Sequence, residues 1–467
     1  MGSFLKHRQE LNRYEKAILN LRCGSRAFRS LVSGVSRVVR LAGAQENEHL
    51  QTIWDTGANV TGPAFFFFMW WVLKTAAEQG VERLYFLARD GQILLKISRI
   101  ICECWGYNTE CRYLYGSRQT WMLPAIDSIG KFELGCIMTC GYNPLSVNLV
   151  CSRVNLKPED IKEVLNRYGF MENQWDKTLT SKERERMEGC LKEKSVQDRI
   201  IRNTEPFFKD SFGYLEQEGF LEDVNFGIVD TGWAGRSQFA ISKILQKTNC
   251  RPQNGLLGFY FGLSEKKKRY NNDKLESFLF DLSLDQKYSF LDYYAIYEIF
   301  ASSDRGRTIG FSKENGKFCP VFDKPTNEEG IEWGVKIQQE SAVKFADEFT
   351  KHCRPDIIEE EAVHRIIERI LHLFLQRPSM EEATAYGKFI IGVEVTEKDL
   401  QEAGPIITHS DFWISGLKAE EKLKGFWPAG SLVRSKMPIL HKIWDLYKLL
   451  CRLKKTVLIK LGRLKTG

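Results

Sequence analysis

The chain is short of the signals that most quickly fix a function. It has 467 residues but only 7 histidines, and they are scattered. Its 12 cysteines form no CxxC pair. Cys102-x-Cys104 and Cys136-x3-Cys140 lack the histidines that a structural zinc site needs, so a zinc-finger reading is excluded. No G-x-x-x-x-G-K-[ST] loop, G-x-S-x-G elbow or H-E-x-x-H helix occurs, which removes P-loop nucleotidases, α/β-hydrolases and zincins. No internal repeat of solenoid period is present. The most apolar run, Phe65 to Leu73, is too short to span a bilayer, which takes about 20 residues. It fits a buried helix over Pro63 to Gln79, packed on a sheet. A secretory leader is not evident, so a cytoplasmic location with free thiols is expected.

One-sided charge is also lacking. Lys and Arg number 67 against 60 Asp and Glu, a formal net charge of +7. The imbalance sits at the ends. Lys6, Arg8, Arg13, Lys16, Arg22, Arg26, Arg29, Arg37 and Arg40 crowd the first forty residues, and Lys442, Lys448, Arg452, Lys454, Lys455, Lys460, Arg463 and Lys465 the last thirty. Basic ends on a neutral body fit a negatively charged surface, most simply a membrane face or nucleic acid. The expectation is the inner face of the cytoplasmic membrane, with no nucleic-acid partner. From Pro438 to Leu461, apolar residues recur at spacings of three and four between lysines and arginines. This predicts an interfacial amphipathic helix that binds the membrane peripherally.

What is present is α/β grammar. Asn225 to Leu245 reads NFGIVDTGWAGRSQFAISKIL. This predicts a short buried strand, a turn with an acid and two glycines, then an amphipathic helix. A strand running through a glycine turn into a helix makes an anion site from backbone N–H groups and the positive helix end. Thr231, Gly232, Gly235, Arg236 and Ser237 supply the donors and the turn. Asp230 suits a metal ion or sugar hydroxyls beside a phosphate. A second unit lies upstream. Arg83 to Ala88 is a strand, Arg89-Asp90-Gly91 the turn, and Gln92 to Cys102 a helix by its apolar spacing. Ligands sit beyond the carboxyl ends of strands in open α/β sheets, so the two turns are expected side by side over one pocket. Tyr113 to Arg118 is a strand entering a polar turn with Ser117 and Arg118. Glu298 lies in an apolar helix that runs into Ser302, Asp304 and Arg305. Cations and N–H groups for phosphate, with Asp90, Asp230 and Glu298 as catalytic carboxylates, suit phosphoryl or glycosyl-phosphate chemistry. Mg²⁺ is the candidate cofactor, with no metal ligand assigned.

The organisation that follows is a basic helical lead-in over 1–45 and an α/β core over 46–325 with a helical insertion at about 120–222. A mainly helical region at 326–435 and a basic amphipathic tail at 436–467 complete it. The predicted fold is α/β, a mainly parallel, Rossmann-like sheet.

At these residues two resemblances appear. YFLARDGQILLKI, GSRQTWMLPAI, VDTGWAGRSQ and YEIFASSDRGRTIGF resemble, in that order, the C-terminal region of predicted haloacid-dehalogenase-superfamily hydrolases of bacterial surface-polysaccharide gene clusters. The likeness covers roughly residues 50 to 320. The DxD-x-T nucleophile motif of those hydrolases is absent, so their phosphatase activity does not carry over. LARDG and VDTGWAGRS also resemble the pyrophosphate and phosphoribosyl loops of phosphoribosyltransferase-like domains. On that likeness Arg89 to Gly91 would hold pyrophosphate, Thr231 to Ser237 phosphate, and Asp230 ribose hydroxyls or Mg²⁺. That family carries two adjacent acids where this chain has Val229 and Asp230. Three readings stay open. The chain is a transferase of surface-polysaccharide biosynthesis acting on a phosphorylated sugar or sugar pyrophosphate, or a phosphatase-type hydrolase using Asp90 or Asp230. The third is a non-catalytic phosphosugar-binding protein that scaffolds glycosyltransferases at the membrane.

Overall fold

The structure is a computed structural model that describes residues 9–138, 145–264, 267–284, 293–392, 400–408, 411 and 426–436. The predicted amphipathic helix Pro438 to Leu461, Lys6, Arg8 and residues 285–292 lie outside the described residues.

The lead-in forms two helices, α1 (Arg13–Leu19) and α2 (Arg26–Ala42). Asn12 and Glu15 make a reciprocal capping box on α1, and Ser25 caps α2. Each such cap satisfies N–H groups that a helix start leaves orphaned. The helices are not a separate basic arm. Arg40 is buried on Glu15 at 2.7 Å, Arg13 pairs with Glu382, and Arg29 donates to the carbonyl of Gly24 at 2.7 Å. Apolar positions Phe28, Val32, Val35 and Val39 line one face of α2 at helical spacing and are buried in the main core.

Next comes an unbroken helical rod. α3 (Glu48–Thr56) passes through a π turn, Gly57–Thr61, into α4 (Gly62–Glu78). The rod is 31 residues long, with 78% of its most apolar stretch buried. The reason lies in the sequence GPAFFFFMWW, which is apolar all round and so must be covered all round. Burying each phenylalanine contributes roughly 1.5–3 kcal/mol. Phe68 meets Phe261 of the sheet edge-on at 5.5 Å, and Phe66 meets Phe349 at 4.7 Å on the opposite helix layer. Gly57 allows close approach there, since a Cβ would stand 2.6 Å from that of Ser341.

The sheet is built from β1 (Arg83–Leu87), β2 (Glu110–Leu114), β3 (Phe226–Asp230), β4 (Leu257–Leu263) and β5 (Lys274–Asp281). All five strands are parallel, in the order β2-β1-β3-β4-β5. Strand alternation divides the core. Leu84, Phe86, Val229, Phe259 and Phe261 face the helical rod and α5 (Gly91–Trp105). Tyr85, Leu87, Phe226 and Ile228 face the other layer. That layer holds α6 (Arg118–Ala125), the long α11 (Lys194–Gln217) and α12 (Arg236–Lys247). Helices on both faces explain why the central strands β1, β3 and β4 are buried almost throughout rather than alternating with polar residues.

Between β2 and β3 lies the predicted helical insertion: α6, α7 (Lys131–Ile137), α8 (Val147–Ser152), α9 (Lys162–Arg167), α10 (Ser181–Lys192) and α11 (Lys194–Gln217). It has a hydrophobic cluster of its own, from Leu123 to Ile200. After β3 comes α12 (Arg236–Lys247). Its Lys243 reaches Asp127 at 2.8 Å and Glu133 at 2.6 Å and ties the insertion to the sheet layer.

Past β5 the chain forms α13 (Tyr294–Phe300) and an antiparallel hairpin, β6 (Thr308–Glu314) with β7 (Lys317–Phe322). The region expected to be mainly helical carries α14 (Glu328–Trp333), α15 (Val335–His352), α16 (Glu360–Gln376), α17 (Met380–Gly387) and α18 (Pro428–Arg434). It also contains a short antiparallel pair, β8 (Ile390–Gly392) with β9 (Leu400–Glu402), which the helical expectation omitted. The ten described cysteines are free thiols.

Candidate functional site

The strand order reverses between β1 and β3, because the chain moves from β1 outward to β2 and then returns to β1's other side. In doubly wound sheets this switch point opens a crevice at the carboxyl ends. The RDG turn leaves β1 there and the DTGWAG turn leaves β3. The two strands are paired in parallel register, Phe86 against Val229. The predicted juxtaposition of the turns is therefore present.

A single hydrogen bond ties them. The fully buried Thr231 hydroxyl donates to Asp90 Oδ2. Asp90 stands at the N-cap of α5 yet makes no capping bond with its side chain. It is turned to the neighbouring strand's turn instead. Asp230 ends β3 and is held by the amides of Thr231 and Gly232. Gly232 takes φ +154°, and a Cβ on it would lie 2.6 Å from the carbonyl oxygen of Gly262. Gly235 takes φ +67° and begins α12. Both glycines of the motif are thus explained by backbone geometry. Gly91 packs on β1, where a Cβ would meet the Phe86 carbonyl carbon at 2.6 Å.

Glu298 comes from α13. Trp233, inside the DTGWAG turn, stacks on Tyr294 at 4.8 Å and donates its indole N–H to Glu298 Oε1 at 3.4 Å. Sequence reasoning gave Trp233 no role; the structure makes it the residue that orients Glu298. Asp90, Asp230 and Glu298 all line one hollow of about 600 Å³, a volume suited to a small-molecule ligand.

Asp90 and Asp230 are both raised. Burial, then the Glu298 charge, pushes Asp90 up to about 7, against the opposing pull of the Thr231 hydrogen bond, Arg89 and Arg118. Burial, then the Asp90 charge, carries Asp230 well above the usual carboxylate range. Like charges sharing a dry site cannot all ionise at neutral pH, so protons are held among the carboxylates.

The cationic wall is Arg89 and Arg118, both lining the hollow. Three helices, α5, α6 and α12, begin beside it. On α5 and α12 the N-cap residue makes no side-chain capping bond; on α5 the Gln92 N–H is given to the Arg89 carbonyl at 3.1 Å, and the positive ends of both helices face the hollow. Ser117 and Ser237 also line the hollow, but the Ser117 hydroxyl is used as the cap of α6, accepting from the Thr120 amide at 3.4 Å.

Two predicted cations are placed differently. Arg305 is exposed, bridges to Thr326 and does not line the hollow; Arg307 does. The strand alternation of β6 begins just past this turn, and the glycine between the two arginines packs against the Lys324 carbonyl. Arg236 is half-buried and stands outside the wall. Burial lowers its pKa, and the nearby guanidinium groups of Arg118 and Arg153 lower it further. Asp304 is engaged elsewhere: Gln92 donates to its carboxylate at 2.6 Å, and Gln339 links Gln92 to the Ser302 carbonyl. This amide chain holds the 302–304 loop at the rim.

Among the described residues no group of three or more His, Cys, Asp or Glu is arranged to hold a metal ion. Mg²⁺ usually keeps waters and binds through one or two carboxylates plus substrate phosphates. The site fits it only in that form, with Asp230 as the carboxylate beside a bound phosphate. Compared with models of protein families and with curated proteins, the chain matches none.

Proposed function

We propose that the chain is an enzyme that acts on a phosphorylated sugar or sugar pyrophosphate. The observation that carries this reading is the convergence of three carboxylates from three elements, β1's turn, β3's end and α13, on a hollow with a cationic wall and helix N-termini. A scaffold has no use for raised, clustered acids, whereas acid–base transfer chemistry does. In this reading Arg89, Arg118 and the first turns of α5 and α12 bind phosphate. Asp90 carries a proton at neutral pH and delivers it to the leaving oxygen. Glu298, aimed by Trp233, takes one from the attacking group. Mg²⁺, when bound, would add charge neutralisation at the phosphates. The hydrolase alternative asks Asp90 or Asp230 to act as an ionised nucleophile. Their raised pKa values argue for transfer by acid–base catalysis instead.

The resemblance to proteins of surface-polysaccharide gene clusters supports a place in polysaccharide biosynthesis. The basic residues of Pro438 to Leu461 support work at the inner face of the membrane, near glycosyltransferases. The test is a thermal-shift series with inorganic pyrophosphate and sugar phosphates, with and without Mg²⁺. A ligand at a hundred times its dissociation constant stabilises by about 2.7 kcal/mol. Asp230→Ala and Arg118→Ala are expected to remove the shift while leaving the unliganded protein folded. A wild-type protein indifferent to every phosphate offered would end this reading.

A further inference from the structure

The hollow extends past the carboxylates. Beyond Ser302 and Ser303 its wall is made by Arg307, Asn327, Trp333, Lys388, Phe389 and Ile390. These come from the turn before β6, the segments around α14 and the entry to β8, none of which belongs to the five-stranded sheet. The far part differs in kind from the phosphate end. Phe389 is half-buried and meets Trp333 edge-on at 4.8 Å. Ile390, next to it, is 41% exposed. Together they form an apolar shelf open to the hollow.

Polar groups stand apart around that shelf. Arg307 gives its backbone N–H to Asp323 at 2.8 Å and its Nε–H to the same carboxylate at 3.3 Å. Its Nη1, shut away from bulk solvent, has no hydrogen-bond partner among the described residues. Lys388 is exposed and in no ion pair among the described residues. Asp323 and Glu329 line the same wall, with Glu329 holding Lys324 at 3.0 Å. Dispersed donors and acceptors around a flat apolar shelf suit a ligand with hydroxyls at its edges and C–H groups on its face. That is the surface of a sugar ring.

We infer that this far lobe is the acceptor subsite and binds a hydroxyl-bearing carbohydrate. The inference rests on the reading that the near lobe takes a phosphorylated sugar donor. It makes the reaction a transfer to a glycan rather than to water. The acceptor hydroxyl oxygen forms a bond to the donor's anomeric carbon, and its proton passes to Glu298. The donor's bond from that carbon to its phosphate oxygen breaks, and the phosphate leaves with the electron pair, taking the proton that Asp90 holds.

The experiment presents the full chain to immobilised oligosaccharides built from bacterial surface-polysaccharide repeats, with free uridine and adenosine as competitors. Wild type is expected to hold at least one oligosaccharide. Phe389→Ala and Ile390→Asp should each weaken it by roughly tenfold, a loss of ~1.4 kcal/mol. Ile390 is exposed, so its variant keeps the test valid if Phe389→Ala melts early. Asp230→Ala should retain the oligosaccharide while losing the pyrophosphate thermal shift. No oligosaccharide held, binding indifferent to both shelf variants, or displacement by uridine or adenosine would each overturn the inference. Oligosaccharide binding in a protein that gives no pyrophosphate shift would sustain the carbohydrate lobe and overturn the phosphate donor.

Discussion

Asp90→Asn should make the protein more stable at alkaline pH and leave it unchanged in acid. Asp90 is carried from 3.8 to about 7 by burial and by the Glu298 charge. Between those values the folded protein holds a proton that the unfolded chain has released. Stability therefore falls as pH rises through that window, and the full penalty is present above about 7. A displacement of this size corresponds to roughly 4 kcal/mol. Asp90 is not fully enclosed, and it shares protons with Asp230, so about 2 kcal/mol is the better expectation after solvent screening. Asparagine keeps an acceptor for the Thr231 hydroxyl and cannot ionise. Thermal unfolding of wild type and variant at pH 4, 6 and 8 measures the difference. The variant should gain roughly 2–4 °C at pH 8 and nothing at pH 4. Equal melting temperatures at every pH would refute the claim that the three acids repel one another in a dry site. A variant less stable at pH 8 would show that Asp90 is ionised and held by the arginines instead.

Activity with an identified donor should fall as pH rises past about 7, as Asp90 loses its proton, and Asp90→Asn should abolish that limb along with most of the rate; a pH–rate profile checks both. Trp233→Phe keeps the stack on Tyr294 but removes the donor to Glu298. It should lower kcat about tenfold with KM and melting temperature nearly unchanged, and a collapse in stability would assign Trp233 to packing alone. Lys243→Met leaves the buried Glu133 without its partner and should cost about 3 kcal/mol. Hydrogen exchange should then rise in residues 118–137, and an unaltered insertion would show that its own hydrophobic cluster anchors it.

The part of the site that could be read from residues is the part built by neighbours in the chain. RDG and DTGWAG each place an acid, a turn and a helix start within a few positions, and local geometry then dictates where the N–H groups point. The five-stranded parallel sheet was likewise legible, because buried strands of Val, Ile, Leu and Phe alternate with helices along most of the core. What was not legible is set by long-range packing. Arg305 and Arg307 are chemically alike and two apart; only the pairing of β6 with β7 and the close approach at Gly306 decide which one faces the hollow. Arg236 has the right position in its motif, yet it stands outside the wall, so a first-turn arginine need not reach the ligand its helix serves. The lead-in reads as basic because its arginines are many, yet Arg13 and Arg40 are held by acids of the protein's own body. Their acidic partners, Glu15 and Glu382, sit near in one case and more than three hundred residues away in the other. The proposed acceptor lobe is the extreme case. Arg307, Trp333 and Phe389 carry no motif, and they line one wall only because segments on either side of α15 in the chain, before it for Arg307 and Trp333 and after it for Phe389, come together beside the hollow. A doubly wound sheet supplies one half of a site by local rule. The other half comes from whatever the remaining chain lays across it, and no local rule in the sequence announces which residues those will be.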